Sequence, residues 1–189
     1  ATARDRGLMS IIILLASLMF MRVLIPDVMA SPRKLTLCAV TFLVNMIMIR
    51  LVLEFGDTNT FGRNVVAMSV LPYCVPFVFS PMIICMTLGE KPAVIIGALV
   101  SIFYTLMIGS VAEYLLVAII ASLVAVHFTT DVRLRGEILR GGLYSGISVG
   151  LVSFLIGLFN KLPLDIISYQ MLFSVVTGAA TGLVVVGIL

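Results

Sequence analysis

The chain has 189 residues, of which 61% are hydrophobic and 11% charged, and its formal net charge is +3. So little polar surface cannot cover a water-soluble core, and lipid is therefore predicted to be its main solvent. The charge is too small, and the arginines too dispersed between apolar runs, to form the basic stripe that nucleic-acid binding requires. The expected partners are therefore membrane lipids, including anionic headgroups, and no nucleic acid.

Seven apolar runs have about the 17 to 25 residues that a helix needs to cross roughly 30 Å of hydrocarbon. In chain order they cover residues 8 to 25, 33 to 54, 65 to 88, 92 to 109, 111 to 127, 139 to 159 and 168 to 189. Gly109, Ser110 and Glu113 separate the fourth run from the fifth and predict a tight hairpin. The sequence therefore predicts an all-α fold, a single polytopic membrane bundle of about seven transmembrane helices over residues 1 to 189.

Lysine and arginine in the short loops predict the orientation, because cytoplasmic loops carry an excess of these residues. With the amino terminus outside, the cytoplasmic set is Arg33, Lys34, Lys91, Arg133, Arg135 and Arg140. The outer loops then hold Arg63 and Lys161, while Arg4 and Arg6 in the outer lead argue weakly for the reverse. We predict an outer amino terminus and a cytoplasmic carboxyl terminus. Because the chain ends in an apolar run, it is expected to be part of a longer polypeptide.

The sequence offers no residues that predict catalysis. His127 is the only histidine, and it has no companions at metal-ligand spacing. Neither an HExxH motif nor a glycine-rich phosphate loop occurs. We therefore predict no catalytic residue, no metal ligand and no cofactor site in this chain.

Four ionisable residues fall inside or beside the apolar runs, where an unpaired charge costs several kcal/mol. Arg22 lies near the inner end of the first run and can extend its guanidinium to the interface. Arg50 and Glu54 are four residues apart on one helix face, so they either neutralise each other or form a ligand site. Glu113, beside the outer hairpin, is expected to be solvated or flanked by Tyr114 at the interface.

The third run contains Pro72, Pro76 and Pro81, each of which removes a backbone donor. A single straight helix is not expected there. One interpretation is a broken helix whose freed carbonyls line a cavity or act as a hinge, as in transporters. The alternative is a kinked helix that packs without any ligand.

Glycines recur at intervals of four in the last two runs, which puts small residues on one face of each helix. They are Gly142, Gly146 and Gly150 in the sixth run, and Gly178 and Gly182 in the seventh. Backbones can approach closely along such faces. The faces therefore predict either helix packing within the bundle or a dimer interface.

The loop from Thr129 to Arg140 contains Arg133, Arg135 and Arg140 together with two acidic residues. Such a segment can form a short interfacial helix. Its role is either to hold the loop in the cytoplasm or to dock a cytoplasmic domain or anionic headgroups.

Five stretches together resemble one known family. They are SPRKL at 31 to 35, Arg50, LPYCVP at 71 to 76, MTLGEKPAVIIGALVS at 86 to 101, and VRLRGEILRGGLYSGISVGLVSFLIGL at 132 to 158. In these stretches the chain resembles the membrane region of the seven-transmembrane receptors with an intracellular HD hydrolase domain, which include the PgpH-type cyclic-di-AMP phosphodiesterases.

The resemblance implies an extracellular sensor domain before the first span and a cytoplasmic HD domain, with a divalent metal, after the seventh. Both are expected outside this chain, as parts of the same polypeptide in the inner membrane of a bacterial cell. The chain would sense a signal and transmit it, while the HD domain hydrolyses the cyclic dinucleotide. A homodimer is a further candidate assembly. The resemblance assigns no catalytic residue to any position here.

The alternative function is that of a substrate-binding membrane subunit of a vitamin-type transporter, which has similar size and hydrophobicity. Such subunits usually have six spans and an AxxxA patch on the first helix. In this chain Ala16 is followed four residues later by Phe20, so the patch is absent.

Overall fold

The computed structural model describes residues 26–56, 69–109, 112–130 and 135–188, and also Leu15, Met19 and Arg22, which are helical. Most of the first predicted run lies outside the described residues, and so does Arg133. A one-turn helix, Pro26–Met29, precedes six longer ones. These are α1 (Pro32–Gly56), α2 (Phe79–Leu88), α3 (Glu90–Ile108), α4 (Ala112–Thr129), α5 (Arg135–Phe159) and α6 (Leu164–Ile188). These stretches contain no β-strand.

Five of the described helices are long and apolar enough to cross a membrane, namely α1, α3, α4, α5 and α6. Helix α2 has only ten residues and therefore spans about 15 Å, half of the hydrocarbon thickness. The predicted all-α, multi-pass membrane fold is thus confirmed, while the number of seven spans and the orientation stay predictions. The third predicted run, 65 to 88, is not one continuous helix, because a 3-10 turn at Leu71–Tyr73 and irregular backbone precede α2.

Short connections make neighbouring helices antiparallel. A single residue, Gly89, joins α2 to α3 with φ of 98°, a conformation that costs glycine little because it has no Cβ. Gly109 ends α3 in the left-handed region with φ of 114°, and its N–H donates to the carbonyl of Thr105 over 3.1 Å. From α2 onwards, each helix packs against the one that follows it along the chain.

Because consecutive helices run in opposite directions, the first residues of α1, α3 and α5 share one end of the bundle with the last residues of α2, α4 and α6. The Cys85 thiol, near the end of α2, lies 3.6 Å from the carbonyl of Val126 in α4, in agreement with this arrangement. Four exposed cations of the described ranges lie at this end, which we call the basic end: Arg33, Lys34, Lys91 and Arg140. The described charged residues near the opposite end are Arg50, Glu54, Glu113, Lys161 and Asp165.

Helices α5 and α6 approach each other until their backbones touch, along a surface we call the glycine seam. A Cβ atom built on Gly142 would lie 2.6 Å from the carbonyl oxygen of Gly178, and one on Gly146 would lie 2.7 Å from that of Ser174. Gly182 lies across from Gly142, and Gly150 lies across from Ser174. Both predicted glycine faces therefore meet each other inside the chain. Close van der Waals contact of this kind is what holds helices together in lipid.

We expect Gly146→Leu to destabilise the bundle by on the order of 1 to 3 kcal/mol, because a side chain there must push the backbone of α6 away. Gly187→Leu is the matched control, since a Cβ at Gly187 on α6 meets nothing within 4 Å. Thermal unfolding of both variants in detergent measures the difference. Equal midpoints for the two variants would contradict a stabilising role of the glycine seam.

Candidate functional site

Residues 69–78 form what we call the interrupted segment, which enters the bundle before α2. Its backbone runs from helical Ser69 and Val70 into the 3-10 turn Leu71–Tyr73, then through bends and turns up to Val78. Prolines explain the irregularity. Pro72 lies in the 3-10 turn, Pro76 ends the bends, and Pro81 lies in the first turn of α2, where a missing N–H is tolerated.

Each of the last two prolines leaves a particular carbonyl without its helical partner. If the helix were continuous, the N–H at position 76 would donate to the Pro72 carbonyl and the N–H at position 81 to the Phe77 carbonyl, but prolines at both positions have no N–H. Side chains from other helices donate to both carbonyls. The Tyr104 hydroxyl lies 2.6 Å from the Pro72 oxygen, and the Asn45 Nδ2 atom lies 3.5 Å from the Phe77 oxygen. The second bond is long and correspondingly weak.

A third donor reaches the start of the interrupted segment. Gln170 Nε2 donates to the carbonyl oxygen of Ser69 over 3.0 Å. Asn45, Tyr104 and Gln170, which we call the three capping side chains, come from α1, α3 and α6 respectively. Their exposed fractions are 0%, 0% and 2%, so water does not compete for their bonds. Three separate helices thus hold the backbone of the interrupted segment by side-chain hydrogen bonds.

The capping bonds leave other polar atoms unsatisfied. Among the described residues, the buried side-chain oxygens of Asn45, Ser80 and Gln170 have no hydrogen-bond partner. An amide that turns its nitrogen to one carbonyl must point its oxygen elsewhere, and no donor meets it here. A buried acceptor of this kind costs about 1 to 3 kcal/mol. The capping network is therefore only partly satisfied.

Aromatic rings hold Tyr104 in its bonding position. The ring of Phe77 lies edge-to-face against it at a centroid distance of 4.7 Å. Tyr114 from α4 lies edge-on to both Tyr104 and Tyr73, at 6.4 Å and 6.0 Å. Such edge contacts favour a defined ring orientation. Because Tyr104 is fully buried among these rings, its hydroxyl is directed at Pro72.

A small cleft lies between the interrupted segment and the glycine seam. Pro76 lines one side of it, and Gly146 and Gly178 line the other, so the structure brings two sets of predicted residues together. Four hydroxyls also line it, from Ser145, Ser174, Thr177 and Thr181, and each donates to a carbonyl of its own helix. The cleft encloses about 10 Å³, roughly the room that one water molecule needs. The interpretation that the prolines of the third run line a ligand cavity stays a prediction.

The predicted ionisable residues occupy other positions. Arg50 Nε and Glu54 Oε1 form an ion pair at 2.8 Å, with both side chains more than half exposed. The Glu113 carboxylate accepts from Asn160 Nδ2 at 3.3 Å, which joins the start of α4 to the end of α5. Arg22 is exposed. Neither the ion pair nor the Glu113 hydrogen bond is made to the interrupted segment.

Two arginines of the predicted cytoplasmic loop 129 to 140 belong to α5, and the third, Arg133, lies outside the described residues. Arg135 is the first residue of this helix, and Arg140 is exposed on its second turn. Among the described residues, no group of three or more His, Cys, Asp or Glu side chains could hold a metal ion. The interrupted segment is therefore the candidate site, and its chemistry consists of neutral hydrogen bonds.

Sequence reasoning missed the three capping side chains. Asn45 and Gln170 are uncharged polar residues inside apolar runs, a recognised sign of hydrogen bonds between membrane helices. This pattern could have identified both residues from the sequence. Tyr104 gave no such sign, because tyrosine is common in membrane helices without any buried partner.

A family model described as "7TM receptor with intracellular HD hydrolase" matches residues 3–189. No curated protein and no solved structure matches the chain.

The stability that the Tyr104 hydroxyl contributes should depend on whether residue 76 is a proline. We expect Tyr104→Phe to lower the free energy of unfolding by about 1 to 3 kcal/mol, because the Pro72 carbonyl becomes a buried acceptor without a donor. In a Pro76→Ala background the loss should be smaller by about 1 kcal/mol, since an alanine at this position can supply an N–H to that carbonyl.

A double-mutant cycle of thermal unfolding in detergent measures this coupling. Thr105→Val is the control, since the Thr105 hydroxyl is also buried in α3 but donates only to Ser101 of its own helix. Equal losses in the two backgrounds would contradict the pairing of Pro76 with Tyr104.

Proposed function

The chain belongs to the family of 7TM receptors with intracellular HD hydrolase, and on this premise we propose that it is the transmembrane sensory and signal-transmitting region of a membrane-bound cyclic-dinucleotide phosphodiesterase. The match over residues 3–189 is the observation that carries the proposal. The proposed substrate of the whole protein is cyclic-di-AMP. Hydrolysis belongs to an HD domain of the same polypeptide, which binds the divalent metal.

The distribution of charge supports a cytoplasmic position for the basic end. Arg33, Lys34, Lys91 and Arg140 lie there, and cytoplasmic loops are the ones enriched in such residues. Helix α6 finishes at this same end, so an HD domain that follows it lies on the cytoplasmic side. The extracellular sensor domain then precedes the first span on the opposite side. We propose the bacterial cytoplasmic membrane as the location.

The chain's own task is mechanical in this proposal. A signal outside the membrane changes the arrangement of helices, and α6 carries the change to the HD domain. The interrupted segment suits this task, since side chains of α1, α3 and α6 all bond to it. By contrast, a vitamin-type transporter subunit needs a cavity of several hundred Å³, and the cleft beside Pro76 holds about 10 Å³.

The orientation can be tested by cysteine labelling in intact cells. We expect an impermeant maleimide to label Lys161→Cys, at the opposite end, and to spare Ser31→Cys, at the basic end, until the cells are opened. Both variants are made in a background whose native cysteines are replaced. Labelling of Ser31→Cys from outside would overturn the proposed topology.

The activity can be tested on the full-length protein in membranes. We expect hydrolysis of cyclic-di-AMP that depends on a divalent metal, is lost on treatment with a chelator and returns when manganese is added. Cyclic-di-GMP is the competing substrate in the same assay. Absence of metal-dependent hydrolysis of either compound would reject the proposed function, whereas a preference for cyclic-di-GMP would reject only the choice of substrate.

A further inference from the structure

The interrupted segment is held in a way that suits regulated release. We propose that the three capping side chains form a releasable clamp on this segment, and that release of the clamp is the step by which the bundle changes the activity of the HD domain. This inference rests on the proposed function for its output. Its structural part, the opening of the clamp, can be measured independently of any hydrolysis.

The clamp connects the interrupted segment to three helices that are distant from it along the sequence. Asn45 holds Phe77 from α1, Tyr104 holds Pro72 from α3, and Gln170 holds Ser69 from α6. A shift of any one of these helices by 1 to 2 Å, roughly the scale of known switching movements, would break its bond. A released Pro72 or Phe77 carbonyl cannot bond to the residue four positions later, because Pro76 and Pro81 supply no N–H.

The unsatisfied oxygens weaken the clamped arrangement. Asn45 Oδ1 and Gln170 Oε1 are buried without donors while the clamp is closed, and Ser80 Oγ, two residues beyond the interrupted segment, has no partner either. Entry of water would satisfy all three oxygens and the released carbonyls together. The closed and open arrangements are therefore closer in free energy than they would be with a fully bonded network. A two-state element needs this near balance.

The cleft beside Pro76 indicates where the bundle separates when the clamp opens. It separates the interrupted segment from the glycine seam, and its far wall carries four hydroxyls whose oxygens can still accept bonds from water. Gln170 lies on α6 one turn before Ser174, which lines the cleft. Widening of the cleft therefore moves the interrupted segment relative to the helix that leads to the HD domain.

Cys74 offers a built-in reporter of this opening. It is half-buried in the interrupted segment, whereas Cys38 and Cys85 are buried elsewhere. Maleimides react with the thiolate, which forms where water reaches the sulfur. The reaction rate of N-ethylmaleimide at Cys74, with every other cysteine of the full-length protein replaced, thus measures the population of the open state in proteoliposomes.

We expect Tyr104→Phe and Gln170→Leu each to raise the labelling rate of Cys74 by about three- to tenfold, the effect of one lost hydrogen bond on the opening equilibrium. Two control variants, Thr105→Val and Ser153→Ala, remove buried hydroxyls that bond only within their own helices and should leave the rate unchanged. Hydrolysis of cyclic-di-AMP by the same preparations should change in both clamp variants and in neither control.

The outcomes separate the inference from the proposed function. An unchanged labelling rate in both clamp variants would overturn the clamp, because packing alone would then hold the segment. A raised rate without any change in hydrolysis would overturn its regulatory role. If no variant and no wild-type preparation hydrolyses a cyclic dinucleotide, the proposed function fails, whereas the labelling rates still decide whether the clamp opens.

Discussion

The structure depends on one constraint, which is that backbone polar groups in hydrocarbon must find partners inside the protein. Five helices that can span the membrane meet the constraint by their own regular hydrogen bonds. The interrupted segment cannot, because Pro76 and Pro81 remove the donors for Pro72 and Phe77. The bundle meets this demand with Tyr104 and Asn45, and it extends the arrangement to Ser69 through Gln170. The position of the segment therefore depends on the positions of three other helices.

The rest of the bundle supplies a rigid partner for the interrupted segment. Along the glycine seam, α5 and α6 pack backbone against backbone at Gly142, Gly146 and Gly178. A second close contact joins α3 to α4, where a Cβ on Gly97 would lie 2.9 Å from that of Ser122. Contacts of this kind resist gradual deformation. The interrupted segment is held differently, because hydrogen bonds from three helices to its irregular backbone add to the packing of its buried side chains.

The sequence predicted the elements of this arrangement but not their pairing. Hydrophobic run lengths predicted the helices, and the prolines predicted that the third run would break. Partners of the freed carbonyls could not be predicted, because Tyr104 is 32 residues from Pro72 and Gln170 is 101 residues from Ser69. Such pairings depend on which helices are neighbours, and local pattern does not encode this. Ionisable residues looked more informative than Asn45 and Gln170, yet the uncharged amides make the long-range bonds that the site requires.

The Tyr104 hydroxyl, and not water, satisfies the Pro72 carbonyl in this structure. Infrared spectroscopy of the protein in bilayers, with ¹³C-labelled proline carbonyls, tests it directly. The difference spectrum between wild type and Tyr104→Phe should show one proline carbonyl band shifted to higher frequency in the variant, as expected when a hydrogen bond is lost. An unshifted band, or one that moves equally in both proteins when heavy water replaces water, would show that Tyr104 does not bond to the Pro72 carbonyl.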